Sequence, residues 1–245
     1  MKIASPLLLA VLLAAPVLAA APAGTSAARA AVDWSARQAT TPQGGILVGN
    51  PNAPVKLVEY GSLTCPHCRA FHEEGMPGLR ARGLVSGTLS YEYRPFTLNG
   101  IDLMAGLLLQ CQPAPAAWAF VNRVYARQDE LVRGFQSISE SERPRIAALP
   151  QEAQGPALAE LGKLPEFAAA AGIPRARYDA CLAAKAGMDK LLAIRADAVQ
   201  THNLTGTPSF LINGKMQASV FDWTALDPLL TAALKAAAPV SGRTK

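Results

Sequence analysis

Apolar residues alternate with polar ones in two separate parts of the chain, and between those parts the spacing turns helical. The clearest alternating run is VKLVEY, Val55–Tyr60, bounded by Pro54 and Gly61, which predicts a strand. Ile46–Val48 predicts a shorter strand before it, and Thr88–Arg94 a further strand after it. Between Val55–Tyr60 and Thr88–Arg94, CPHCRAFHEEGMPGL reads as a helix with Cys65 at or just before its start. Pro66 falls in its first turn, where a missing N–H costs little. Strand, helix, strand in that order predicts a crossover unit with a parallel pair.

From Asn99 to Asn203 the strand signals vanish. IDLMAGLLLQCQ, PAAWAFVNRVYARQ, EAQGPALAELGKLPEFAAAAG, PRARYDACLAAKAG and MDKLLAIRADAVQTHN each show helical apolar spacing. A strand returns at Ser209–Ile212, followed by a two-residue Asn213–Gly214 turn and a return strand from Lys215. A closing helix starts at Asp222. The pattern predicts an α/β domain, residues 46–98 and 204–241, interrupted by an all-helical insertion over 99–203. Residues 24–45, rich in Ala, Thr, Gly and Pro, read as a loosely ordered lead-in.

The first 23 residues stand apart. Lys2 precedes the apolar run PLLLAVLLAAPVLAA, which is too short to span a bilayer and is broken by Pro16. Small residues follow, with cleavage points between Ala19 and Ala23, so the segment reads as a secretory signal peptide and places the mature chain in the periplasm. The 245 residues are half hydrophobic, enough for a substantial core. The net charge of +5 comes from scattered basic residues without a run of five, which is a solvated surface and not a nucleic-acid footprint.

Export changes how the four cysteines are read, because disulfides persist outside the cytoplasm. Cys65 and Cys68 are three residues apart, which leaves Cys111 to pair with Cys181. A zinc site would need further ligands: His72 shares a helix face with Cys68, but His202 stands alone, so no metal and no other cofactor is expected. A purely structural C-x-x-C bridge closes too small a ring to stabilise much. A cysteine at a helix N-terminus, by contrast, meets unpaired N–H groups and the positive end of the macrodipole, which favour thiolate. The neighbouring His67 imidazole adds to this when protonated. Cys65 is then the reactive thiol, and Cys68, one turn on, resolves a mixed disulfide. His72 and His202 carry no assigned chemistry.

With CPHC followed by FHE, a helical insert and then GTPSF before a hairpin, the chain resembles the DsbA-like branch of the thioredoxin superfamily from Ile46 onward. The resemblance implies a thioredoxin fold with an inserted helical domain and thiol–disulfide exchange on exported proteins. It matches Pro208 to the cis-proline beside the redox pair, with the backbone of Thr207 free to pair with a substrate chain; an ordinary trans proline is the alternative. It matches Glu59, six residues before Cys65, to a buried acid that passes protons to or from Cys68. Strand alternation places Glu59 with Val55 and Leu57, among neighbours that raise a carboxyl pKa, unless it lies on an exposed edge. The Pro66–His67 dipeptide matches the oxidising members. The resemblance also favours a Cys111–Cys181 bridge over two buried thiols, and a loop of about 70 residues would contribute roughly 4 kcal/mol.

The expected activity is oxidation of reduced exported proteins by the Cys65–Cys68 disulfide, with reoxidation by a membrane quinone-linked partner, as the family implies. Thr207 before the proline argues more weakly for an isomerase. About 25 residues separate the signal from the fold, too few for an N-terminal dimerisation domain, so a monomer is expected. The alternatives are a reductase or isomerase of the same fold, or a peptide-binding chaperone module in which the disulfide is incidental.

Overall fold

Val55, Leu57 and Glu59 lie on one side of the strongest strand, and everything else is arranged around that side. In the computed structural model, which describes Met1 and residues 32–238, this strand is β3, Val55–Gly61, and is almost wholly buried. It pairs in parallel with β4, Leu89–Pro95, through the helix α1, Pro66–Leu79. With β1 (Gln38–Thr40), β2 (Ile46–Gly49), β5 (Ser209–Ile212) and β6 (Lys215–Met216) they form a six-stranded sheet in the order β1-β2-β4-β3-β5-β6. Only the β3–β4 pair is parallel. The β5–β6 hairpin turns at Asn213 (φ 50°) and Gly214 (φ 80°), the two positive-φ positions that a two-residue hairpin requires.

One sheet face carries Leu57, Tyr91, Tyr93, Phe210 and Ile212 and packs under helices. Phe71 of α1 meets Phe210 with ring centroids 4.6 Å apart, and it also approaches Trp223 of the closing helix α10, Trp223–Ala237. Each such buried aromatic contributes about 2–3 kcal/mol. Asp222 caps α10 by accepting the Ala225 N–H. The other face carries Val58, Tyr60 and Leu211 and is covered by Ile194, Ala198 and Leu204.

Between β4 and β5 lie eight helices: α2 (Gly100–Gln110), α3 (Ala114–Ala126), α4 (Gln128–Gln136), α5 (Glu142–Ala147), α6 (Gln151–Leu161), α7 (Leu164–Ala170), α8 (Arg175–Leu182) and α9 (Lys185–Ala196). Apolar spacing predicts five helical segments. Residues 128–147 supply two more, and EAQGPALAELGKLPEFAAAAG divides at Lys163, whose φ of 60° ends α6, with Pro165 starting α7. α2 is apolar on nearly every side and forms the centre of the insert. Side chains of the insert and of the sheet belong to one continuous core.

The lead-in expected to be loosely ordered through Gly45 is regular from Trp34. A short 3-10 turn at Trp34–Ala36, capped by Asp33, runs into β1. Tertiary pairing explains the difference: three residues too few to signal a strand are held by the ladder to β2. The segment read as a signal peptide lies outside the described residues, as do residues 24–31.

Candidate active site

The redox pair sits where the parallel crossover turns. Cys65 is the N-cap of α1 with extended backbone (φ −79°, ψ 121°), and Pro66 occupies the first helical position. The side chain of Cys65 makes no capping bond, so its sulfur stays at the rim of the helix N-terminus. Cys65 keeps 8% exposure and Cys68 none, so only Cys65 is open to attack by another molecule. Both are free thiols, which is the reduced form of the pair.

Their acidities are driven apart. The Cys65 pKa falls to about 5. The largest cause is the hydrogen bond from the Cys68 thiol; burial opposes it, and further help comes from the contact with Thr207 and from the backbone N–H groups of Cys68 and His67. Burial pushes the Cys68 thiol well up, with its bond to Cys65 and the charge of Glu59 adding to the rise. What residue 67 gives Cys65 is thus its backbone N–H; the imidazole is exposed. The His67 ring, expected to assist the thiolate when protonated, projects to solvent from the second position of the helix, while its N–H turns toward Cys65.

Cys65 Sγ lies 3.3 Å from the carbonyl oxygen of Thr207, and the Thr207–Pro208 peptide bond is cis. The GTPSF segment therefore stands directly across from the cysteine that can be attacked. Below, Glu59 is fully buried on β3 and is not an edge residue. Burial raises its pKa to about 8, a hydrogen bond from Tyr91 opposes the rise, and the Cys65 charge adds to it. Ser62, just past β3, donates its backbone N–H to Cys68 Sγ at 3.4 Å.

Sequence reasoning did not find the residues that hold this loop. Asp102, on the first turn of α2, is buried and accepts from Ser62 Oγ (2.8 Å), Thr64 N (3.0 Å), Thr64 Oγ1 (3.2 Å) and Leu98 N (3.0 Å). Burial raises its pKa against those four bonds. Gln128 Nε2 of α4 donates to the carbonyls of Leu63 (2.9 Å) and Cys65 (3.0 Å). Tyr125 of α3 donates to the Ser62 carbonyl at 3.2 Å, and Tyr93 to that of Gly61 at 2.9 Å. Three helices of the insert thus fix the backbone that leads into Cys65. Strand alternation in SYEYR could have placed Tyr91 and Tyr93 on the Glu59 face; nothing in the sequence pairs Asp102 or Gln128 with this loop.

Cys111 and Cys181 form a disulfide that ties the end of α2 to α8, away from the redox pair. His72, on α1, is hydrogen bonded to Asn122 and its ring packs against Tyr125 at 4.9 Å. His202 lies beside Tyr60 on the opposite sheet face. Among the described residues, no three His, Cys, Asp or Glu side chains converge as a metal shell.

Comparison with known proteins places this arrangement. A family model described as thioredoxin matches residues 41–232. A solved protein-disulfide isomerase from Novosphingobium aromaticivorans is 32% identical, with a TM-score of 0.72 over 77% of this chain and 96% of that one. Wolbachia pipientis α-DsbA1, at 23% identity and a TM-score of 0.62 over 81% of this chain and 94% of that one, shares the fold. A Rickettsia felis relative named "Putative protein-disulfide oxidoreductase" is 27% identical over 78% of this chain and 59% of its own length. The chain spans about six tenths of the length of that curated relative. It belongs to the thioredoxin family, in the DsbA-like form in which helices interrupt the fold.

Proposed function

We propose that this chain is an exported thiol:disulfide oxidoreductase that donates its Cys65–Cys68 disulfide to reduced proteins through a mixed disulfide at Cys65. The opposed setting of the two thiols carries the reading: a rim cysteine whose pKa is about 5 beside a closed one whose pKa is raised. A substrate thiolate attacks Cys65 Sγ, a new S–S bond forms, and Cys68 leaves. Glu59, protonated at pH 7, supplies the proton that Cys68 takes up. A second substrate thiolate attacks the substrate sulfur, and Cys65 leaves as a stable thiolate. Two electrons pass from the substrate dithiol to the cysteine pair, and the substrate gains one disulfide. The extended substrate chain lies along Thr207–Pro208.

Thiolate stabilisation also favours the oxidising direction. Lowering a thiol pKa from 9.0 to about 5 favours the reduced form about 100-fold at pH 7, roughly 60 mV for a two-electron couple. Reoxidation then requires a disulfide or quinone-linked partner at a membrane. Export is supported by the apolar run after Lys2 and by the Cys111–Cys181 disulfide, a bond of oxidising compartments.

An isomerase or reductase is the second reading, favoured by the name of the Novosphingobium protein. Equilibration with glutathione decides, measured in Cys111→Ala/Cys181→Ala protein so that only one pair titrates. A potential well above that of glutathione supports the donor; one near that of a reducing thioredoxin refutes it. Cys65→Ser is expected to abolish thiol oxidation, and retained oxidation would refute an enzyme acting through Cys65.

A further inference from the structure

The two oxygens of Glu59 are not equivalent. Oε2 accepts the hydroxyl hydrogen of Tyr91. Oε1 is buried as deeply and has no hydrogen-bond partner among the described residues. A buried carboxyl oxygen without a hydrogen-bond partner is costly, and it calls for a reason. Oε1 lies toward Gly61, where a Cβ would stand 2.7 Å from it. The next residue, Ser62, is the one whose N–H donates to Cys68 Sγ. The unpaired oxygen therefore faces the stretch of backbone that leads to the buried thiol.

Tyr91 reaches Oε2 because β4 runs parallel to β3, with Tyr91 opposite Leu57 and Tyr93 opposite Glu59. Its ring is held edge-on against Trp118 of α3, with centroids 5.7 Å apart. We propose that Tyr91 is the positioning residue for the proton step at Cys68: by committing Oε2 it fixes the carboxyl rotamer and leaves Oε1 as the oxygen that carries the exchanged proton. This rests on the reading of Glu59 as the proton partner of Cys68. The titratable groups facing Glu59 are Tyr91 and Tyr93 from β4, Tyr125 from α3, Cys65 at the N-cap of α1 and Cys68 within it; the apolar Phe210 lies opposite on β5. Asp102 from α2 lies beyond Ser62. All of these are neutral or negative, so the Tyr91 hydroxyl is the donor in the set that stabilises the anion.

The step can be isolated. The reduced protein is mixed with an aromatic disulfide that releases nitrothiobenzoate. In the first phase the Cys65 thiolate attacks the reagent, forms a mixed disulfide and expels one aromatic thiolate. In the second, Cys68 loses its proton to Glu59, attacks Cys65 Sγ and expels the second aromatic thiolate. The Tyr91→Phe protein is expected to keep its first phase within about twofold. Its second phase is expected to be about tenfold slower at pH 7, with a midpoint about one pH unit more alkaline, because Glu59 without its donor holds the proton more tightly. A fluorinated tyrosine at position 91, a stronger donor of nearly the same shape, should move the midpoint the other way. Glu59→Gln should slow the second phase and remove this pH dependence. A second phase unchanged in Glu59→Gln would overturn both roles. A second phase slowed in Glu59→Gln but unmoved in Tyr91→Phe would overturn the role of Tyr91 alone.

Discussion

Replacing Glu59 with Gln should change how the stability of the protein depends on pH more than it changes stability at any one pH. The folded-state pKa of Glu59 is raised from 4.5 to about 8 by complete burial. The folded protein therefore holds this proton more tightly than the unfolded chain does. The stabilisation linked to it is fully present below about pH 4.5 and is lost as pH rises toward 8. At 1.36 kcal/mol per pH unit, with the bend at each pKa included, the loss between pH 5 and pH 8 is about 3–4 kcal/mol. Gln cannot ionise, so its protein lacks that slope. An amide N–H placed at the unpartnered Oε1 position costs about 1–3 kcal/mol, but equally at every pH. Cys65, whose pKa is lowered to about 5, contributes a slope of opposite sign to both proteins; below pH 8 Glu59 is mostly neutral, so most of that contribution is common to the two. Urea unfolding of both fully reduced proteins from pH 5 to pH 8 gives the comparison. The Gln protein should gain about 3–4 kcal/mol relative to the parent across that range. Curves parallel within about 1 kcal/mol would refute the raised pKa, and with it the supply of a proton at neutral pH.

Two further outcomes follow from the same geometry. Thiolate absorbance of the reduced protein at 240 nm should titrate with a midpoint near 5, and Cys68→Ala should move it upward, because the Cys68 thiol is the largest contributor to the lowered Cys65 pKa; a midpoint unchanged in Cys68→Ala would refute that hydrogen bond. Asp102→Asn should lower stability by about 2–3 kcal/mol and slow the Cys68 step, since Oδ1 accepts from Thr64 N and Oδ2 from Leu98 N, so either orientation of the amide sets an N–H against an N–H; unfolding and mixed-disulfide kinetics equal to those of the parent would refute the latch.

Much of this protein is written locally. Period-two alternation marks β3, the Cys65–Pro66 pair marks the start of α1, Asn213–Gly214 marks the last hairpin, and helical spacing marks the insert. The C-x-x-C pair is legible for the same reason: at a helix start, its neighbouring thiol and the unpaired N–H groups both lie within the motif itself. The division of the insert was less legible, because a left-handed Lys163 and the polar helices over 128–147 depend on what they pack against.

The sequence by itself determined the order of the main strands around a helical insert, the C-x-x-C at a helix start and the face of β3 that carries Glu59. Which strands become neighbours was decided only in three dimensions, and that is what sets Tyr91 against Glu59, β1 against β2, and the Thr207 carbonyl against Cys65. The same holds for Asp102, 38 residues from Thr64 in the chain, and Gln128, 63 residues from Cys65, which the packing of the insert brings onto the loop that leads into Cys65. Spacing along a chain fixes which way a side chain faces within its own element. The partner it meets is fixed by the burial that joins elements far apart in sequence; that burial raises the pKa values of Glu59 and Cys68, while the Cys68 thiol lowers that of Cys65 against its own burial.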